Sequence, residues 1–253
     1  FLFCRTFIPL LVETLKTPNS FHYPFKELES ISIQYPPDSS FRVITWQLYV
    51  DVDDYRYYGS IQFDNDELKM TPLIDRSFQV EDPTRTVLFP ENWYGAVYYK
   101  IKEVEGPAGK YYLLFGFDGY QFFRKRKLVD VLAFDGEGKP YFGQQVFRDE
   151  ETGAMKSRLM LEYYAESSVR LNYDEMLELL IFDHLIEIQG PESAGPVMVT
   201  DGSYEAYKLA PDGYWYYQPR VFDEVSEEAP RPFPVLDNKD KDIFGNKKKT
   251  KNE

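Results

Sequence analysis

The sequence predicts an all-β protein, antiparallel and hairpin-rich, built as a sandwich or open barrel with a short N-terminal helix and an extended C-terminal tail. Three observations carry this reading. Four Asp-Gly dipeptides, at Asp118-Gly119, Asp135-Gly136, Asp201-Gly202 and Asp212-Gly213, punctuate the chain, and Asp-Gly is a strong short-range hairpin signal. Around them apolar residues alternate with period two, as half-buried strands require. Aromatic residues make up 17% of the 253 positions, with 21 Tyr, 20 Phe and 3 Trp, and such rings suit a pleated surface better than a helix. A chain of this length can bury its core as one β domain. That domain is expected over 19–222, after a helical segment 1–18 and before a flexible tail 223–253.

Ile8, Leu11, Val12 and Leu15 fall at i, i+3, i+4 and i+7. This spacing predicts an amphipathic helix from Phe7 to Lys16, with Pro9 in its first turn. The helix is expected to pack on the sheet; alternatively Phe7 and Ile8 belong to an apolar start that docks on another protein. Pro18, Pro24, Pro36 and Pro37 make the stretch to Ser40 an ordered loop. Phe41 to Val50 reads as a strand with Ile44, Trp46, Leu48 and Val50 inward. After Asp51 to Asp54, Tyr55, Tyr57, Ile61 and Phe63 are the inward set of its hairpin partner.

Pro72, Pro83 and Pro90 break the polar segment Asp64 to Pro90, which is expected to cross a sheet end without pairing. Strands then follow at Ala96 to Val104, Lys110 to Phe117, Leu128 to Phe134, Arg158 to Tyr164, Val169 to Tyr173, Leu177 to Ile188, Tyr204 to Leu209 and Tyr214 to Gln218. About ten strands without an internal repeat favour a sandwich or open barrel over a propeller. From Val221 onward Glu, Pro, Asp and Lys dominate, a composition too polar to build a core.

The formal charge of -13 disfavours a nucleic-acid partner, because affinity for a phosphate backbone depends on neutralisation by Lys and Arg. The one basic cluster, Arg124-Lys125-Arg126-Lys127, is read as solvated charge that protects a strand end. One cysteine, Cys4, and two histidines, His22 and His184, exclude internal disulfides and Cys-based or His-rich metal centres. No apolar run reaches the ~20 residues of a membrane-spanning helix. A first residue other than Met fits removal of an export signal.

Candidate chemistry is weak throughout. Asp51, Asp53 and Asp54, with Asp64, Asn65, Asp66 and Glu67 across the next turn, could offer oxygen donors to calcium. Their spacing lacks the Gly and distal Glu of a calcium loop, and turn formation explains them. Asp183-His184 invites a general-base reading, but strand neighbours point to opposite faces, so a structural histidine is favoured. The carboxylates are too many and too unlocalised to define a glycosidase pair. Trp93-Tyr94, before the irregular backbone that Gly95 permits, is expected in the core or exposed to a partner. Tyr214-Trp215-Tyr216-Tyr217 cannot bury every ring on one face, so the sheet is covered on both sides or Tyr214 and Trp215 join a docking surface.

The runs PNSFHYPF, PPDSSFRVITWQLYV, WYGAVYYKI, GKYYLLFGFDG, KRKLVDVLAF, LMLEYYAESSVRLNYDE, LIFDHLIEI and DGSYEAYKLAPDGYWYY resemble, in this order, a set of uncharacterised exported proteins of Bacteroidota. That group is similar in turn to the plug subunit of the type IX secretion translocon. The resemblance implies a non-enzymatic periplasmic protein that docks on an outer-membrane barrel complex, with no cofactor and no catalytic motif. Trp93, Tyr94, Tyr214, Trp215, Phe7 and Ile8 are then the expected contact residues. A periplasmic glycan-binding or glycan-hydrolysing β protein would share the same composition.

Overall fold

The computed structural model describes residues 2–221 except 107, 150–152 and 192–193, with side chains described from Thr6 onward. The described residues are all-β apart from helix α1 (Leu2–Leu15) and three single-turn 3-10 segments. The tail expected from 223 onward lies outside the described residues.

Fifteen strands are formed among the described residues. They are β1 (Ser32–Gln34), β2 (Phe41–Asp51), β3 (Asp54–Phe63), β4 (Lys69–Ile74), β5 (Val97–Gly106), β6 (Gly109–Asp118), β7 (Arg124–Phe134), β8 (Pro140–Phe142), β9 (Phe147–Arg148), β10 (Met155–Lys156), β11 (Arg158–Tyr164), β12 (Leu171–Asp174), β13 (Leu179–Gln189), β14 (Pro196–Leu209) and β15 (Trp215–Val221). The first sheet has the order β1-β2-β3-β4. The second has the order β11-β7-β6-β5, with β8 also on β7, and the third has the order β10-β9-β15-β14-β13-β12. Pairing is antiparallel except between β15 and β9.

Two apolar cores make this a layered sandwich. Phe41, Val43, Tyr57, Ile61 and Leu73 of the first sheet meet Tyr98, Tyr112, Leu114, Leu128 and Leu132 of the second. The other face of the second sheet, with Tyr111, Leu113, Phe115, Val129 and Val131, meets Leu180, Phe182, Tyr207 and Trp215 of the third. The second sheet is therefore the middle layer. Its strands β6 and β7 are buried without interruption over 111–116 and 128–133, apolar at every position but Asp130, because both of their faces are covered. A register shift between Tyr98 and Lys100 changes the alternation in β5, so Tyr98 and Ile101 both face the first core while Val104 faces the second.

Helix α1 covers the outer face of the first sheet, as its stripe requires: Leu11 and Leu15 are buried with Ile44. Phe7 sets its ring edge-on to Trp46 at 5.7 Å. The helix begins five residues before the expected start, which puts Pro9 inside it. The expected inward faces of the β2–β3 hairpin are corrected by its register. Val43 pairs with Ile61, whereas Ile44 pairs with Ser60 and Trp46 with Tyr58. Ile44 and Trp46 thus lie under the helix, and Tyr57 and Ile61 lie in the first core. Both faces of the hairpin base are covered, so alternation alone does not name the inner one.

Three further expectations change. Asp64 to Pro90 contains β4, whose Pro72 is accommodated because β4 is the edge of its sheet. β7 starts at Arg124, so the basic cluster belongs to the strand. Asp201-Gly202 is not a hairpin turn but lies within β14. There the register jumps from Asp183 opposite Tyr204 to Leu185 opposite Thr200, and Gly202 takes φ +88°, a bulge conformation that glycine adopts without strain.

Candidate functional site

A cleft of about 470 Å³ opens where the first and middle sheets end together. The β2–β3 tip supplies Asp53 and Asp54, and β3 supplies Tyr55 and Tyr57. Asp75 follows β4, Tyr94 precedes β5, Asp118 ends β6, and Arg126 comes from β7. Long-range pairing thus gathers side chains that are far apart in the chain.

Asp118 is a buried carboxylate of the cleft, 4% exposed. Its Oδ1 accepts the Tyr57 hydroxyl at 2.9 Å and the Tyr120 N–H at 2.8 Å, and its Oδ2 accepts the Tyr94 hydroxyl at 2.8 Å. The Gly119 N–H in turn donates to the Tyr57 oxygen at 2.6 Å. Burial raises the Asp118 carboxyl above its ordinary value, outweighing the donors that lower it. Burial and the neighbouring Asp118 charge likewise push both tyrosine hydroxyls well above their usual range, so they remain protonated donors.

Arg126 closes the network from the middle sheet. It donates from Nε and Nη2 to Glu162 Oε2 at 3.0 and 2.7 Å, and from Nη1 to the Tyr94 oxygen at 3.0 Å. Its guanidinium stacks 3.3 Å from the centre of the Tyr120 ring. On the opposite wall Asp75 accepts the Tyr57 and Ser77 N–H groups and the Ser77 hydroxyl. The Ser77 oxygen accepts the Gly95 N–H at 2.8 Å. A Cβ at Gly95 would stand 2.5 Å from Tyr57 Cβ and 2.6 Å from Asp75 Cγ, so glycine is required for this approach.

The contact residues expected from sequence are not brought together. Trp93 and Tyr94 are 0% and 2% exposed: Trp93 donates to the Tyr98 hydroxyl at 2.8 Å, and Tyr94 serves Asp118. Trp215 is buried in the other core, donating to the Tyr111 hydroxyl at 2.8 Å. Their rings are needed to fill two sheet interfaces and are not offered to a partner. Tyr214 is half-buried in the turn before β15; Phe7 and Ile8 are half-buried on α1.

The basic cluster, expected to be solvated, is engaged. Arg124 and Arg126 pair with Glu162, Lys125 donates to the Gly119 and Gln121 carbonyls, and Lys127 donates to the Val169 carbonyl. Asp183 accepts the Arg170 N–H at 2.6 Å, while His184 turns to Glu205 across the bulge, with Nδ1 to Oε1 at 2.8 Å. Asp51 Oδ1 accepts the Val52 N–H, Asp53 Oδ1 accepts the Phe122 N–H, and Asp54 pairs with Arg56. Among the described residues no group of three His, Cys, Asp or Glu side chains is placed to hold a metal ion. No helix among them is long and apolar enough to cross a membrane.

The raised Asp118 carboxyl has a defined stability signature. A folded-state value above the unfolded one contributes stability that is present at low pH and lost as pH rises through the folded value. Asp118→Asn removes that titration. The melting temperature of the native protein relative to the variant should therefore rise between about pH 7.5 and about pH 4.5 in calorimetry; a fall would contradict the burial argument.

Comparison with protein-family models, curated proteins and solved structures finds no match.

Proposed function

We propose that this chain is a non-enzymatic envelope protein that docks on an outer-membrane barrel complex, as its resemblance to the plug subunit of the type IX secretion translocon implies, and that the cleft end is its contact face. The observation that supports this reading most is an apolar rim around a polar centre. Val52, Phe78 and Phe122 are 57%, 68% and 59% exposed. Phe78 and Asp53 line the cleft, Val52 adjoins Asp53, and the Phe122 N–H is bonded to Asp53. A ring of exposed apolar groups about hydrogen-bonded polar ones matches the composition of a protein–protein contact. The polar centre is held by its own network, so it brings a fixed surface rather than groups that must order on contact.

Affinity purification of the tagged protein from detergent-solubilised envelopes tests the reading. Near-stoichiometric recovery of a large outer-membrane barrel is expected, and recovery of the chain alone would overturn it. A second reading, glycan binding in the cleft, is favoured by the Tyr55, Tyr120 and Phe78 rings beside Asp53, Asp54 and Arg56. Under it the purified chain would bind envelope oligosaccharides without any partner.

A further inference from the structure

Strand β13 outruns its outer neighbour. β12 pairs with it over 179–182, and the Asp183 N–H donates to the Arg170 carbonyl at 3.2 Å. Beyond that point, from Leu185 to Gln189, β13 is paired among the described residues on one side alone, with β14. Which backbone groups the open edge presents follows from parity. The Gly190 N–H turns toward β14, donating to the Gly195 carbonyl at 3.1 Å, so Ile188 and Ile186 bond to β14 as well. Leu185, Glu187 and Gln189 then share the outward sense of Asp183. Gln189 stands opposite Pro196, whose missing N–H is tolerated at a pair that makes no ladder bond. The N–H and C=O groups of Leu185, Glu187 and Gln189 carry no hydrogen bond among the described residues. Proline, lysine or a bulge commonly blunts such an edge, as Pro72 does on β4; between 185 and 189 β13 has none of them.

We propose that this open edge of β13 receives an extended segment of a partner protein as an added antiparallel strand, with a lysine or arginine opposite Glu187 and apolar residues opposite Ile186 and Ile188. Side-chain pattern and charge choose that occupant. Ile186 and Ile188 are 38% and 42% exposed and share one face, while Glu187 is an exposed carboxylate on the other. Apolar partners cover the two β-branched side chains, and a cation directly opposite Glu187 makes a favourable cross-strand pair. A second copy of this chain is the poorer fit. Antiparallel self-pairing that uses all three outward residues sets Leu185 opposite Gln189 and brings the two Glu187 carboxylates face to face, and like charges directly opposite are destabilising. The formal charge of -13 acts in the same direction, opposing a second copy and drawing a cationic segment. Backbone bonds supply the affinity of such strand addition and the alternate side chains its selectivity. The edge belongs to the third sheet and shares no residue with the cleft.

The test is fluorescence anisotropy of a labelled, capped peptide titrated with the full chain; the peptide has arginine at its centre, valine on either side and threonine beyond. A dissociation constant on the order of 100 μM or tighter is expected. Glutamate in place of the arginine should weaken binding at least about tenfold. N-methylation of the arginine amide, the donor that faces the Glu187 carbonyl, should do the same. Glu187→Lys should reverse the preference, so that the glutamate peptide binds tighter than the arginine one. Gln189→Pro removes an outward N–H at an exposed edge position where proline is admissible, and should weaken both peptides by about tenfold. Equal binding of the arginine, glutamate and N-methylated peptides, no binding at about 1 mM, a preference unchanged by Glu187→Lys, or undiminished binding by folded Gln189→Pro would each overturn the proposal. Dimerisation of the chain in analytical ultracentrifugation that Gln189→Pro abolishes would overturn it in favour of a second copy.

Discussion

Arg158→Met is expected to cost about 3 to 5 kcal/mol of folding stability, the cost of leaving one partner of a buried ion pair uncompensated. Arg158 Nη2 stands 2.7 Å from Asp130 Oδ1 with both side chains at 0% exposure. The contact is one of charge rather than a well-aligned hydrogen bond, and Nε has no partner. The other end of the guanidinium donates from Nη1 to the Pro83 carbonyl. Asp130 is held in turn by the Tyr98 hydroxyl at 3.1 Å and its own following N–H at 2.9 Å. Removal of the cation strands that carboxylate in the first core. Asp130→Leu should do comparable harm by stranding the guanidinium. The double variant Arg158→Met/Asp130→Leu should be more stable than either single one, since no buried charge then remains. Urea unfolding followed by tryptophan fluorescence measures all three. Additive losses in the double variant would mean that the pair is not coupled.

Trp93→Ala should cost about 3 to 5 kcal/mol, the range for emptying a fully buried large aromatic site. Trp93 is enclosed by the first core, and its indole N–H reaches the same Tyr98 that serves Asp130. The loss therefore combines a cavity with a disturbed polar chain. A sharp fall in melting temperature is the expected result. A variant that melts like the native protein would restore Trp93 as a surface contact residue, the role its place before Gly95 invites.

The legible parts of this fold are those set by local pattern. The long strands β2, β3, β5, β6, β7, β11 and β13 lie where alternation or continuous apolar runs put them, and the 3.6-residue stripe of α1 found its own sheet. The short strands β1, β8, β9 and β10 have two or three residues each, too few for a period to be visible. β4 was hidden by Pro72, which is tolerated at a sheet edge. The Asp-Gly signal held between β7 and β8 and between β14 and β15, but at Asp201 it marked a bulge, because turn and bulge demand the same backbone freedom.

The candidate site was scarcely legible. Asp118 read as a turn former, yet both of its oxygens are buried acceptors; Arg126 read as solvated charge, yet it stacks on Tyr120 and clamps Glu162. What joins Tyr57, Tyr94, Asp118 and Arg126 is the stacking of the first and middle sheets, which no spacing within one sequence encodes. The exposed Phe78 and Phe122 went unmarked because single surface aromatics are ordinary until their neighbours are known. His184 was separated from Asp183 for the right reason, alternation, but its true carboxylate came from the next strand.

The most direct test of the docking claim is quantitative co-purification with Phe78→Glu/Phe122→Glu beside the native protein. Both side chains are exposed, so the variant should melt within about 0.5 kcal/mol of the native stability. Two carboxylates placed in an apolar rim should nevertheless abolish recovery of the membrane barrel. Barrel recovery equal to that of the native protein, from a variant that is folded, would contradict the cleft end as the contact face.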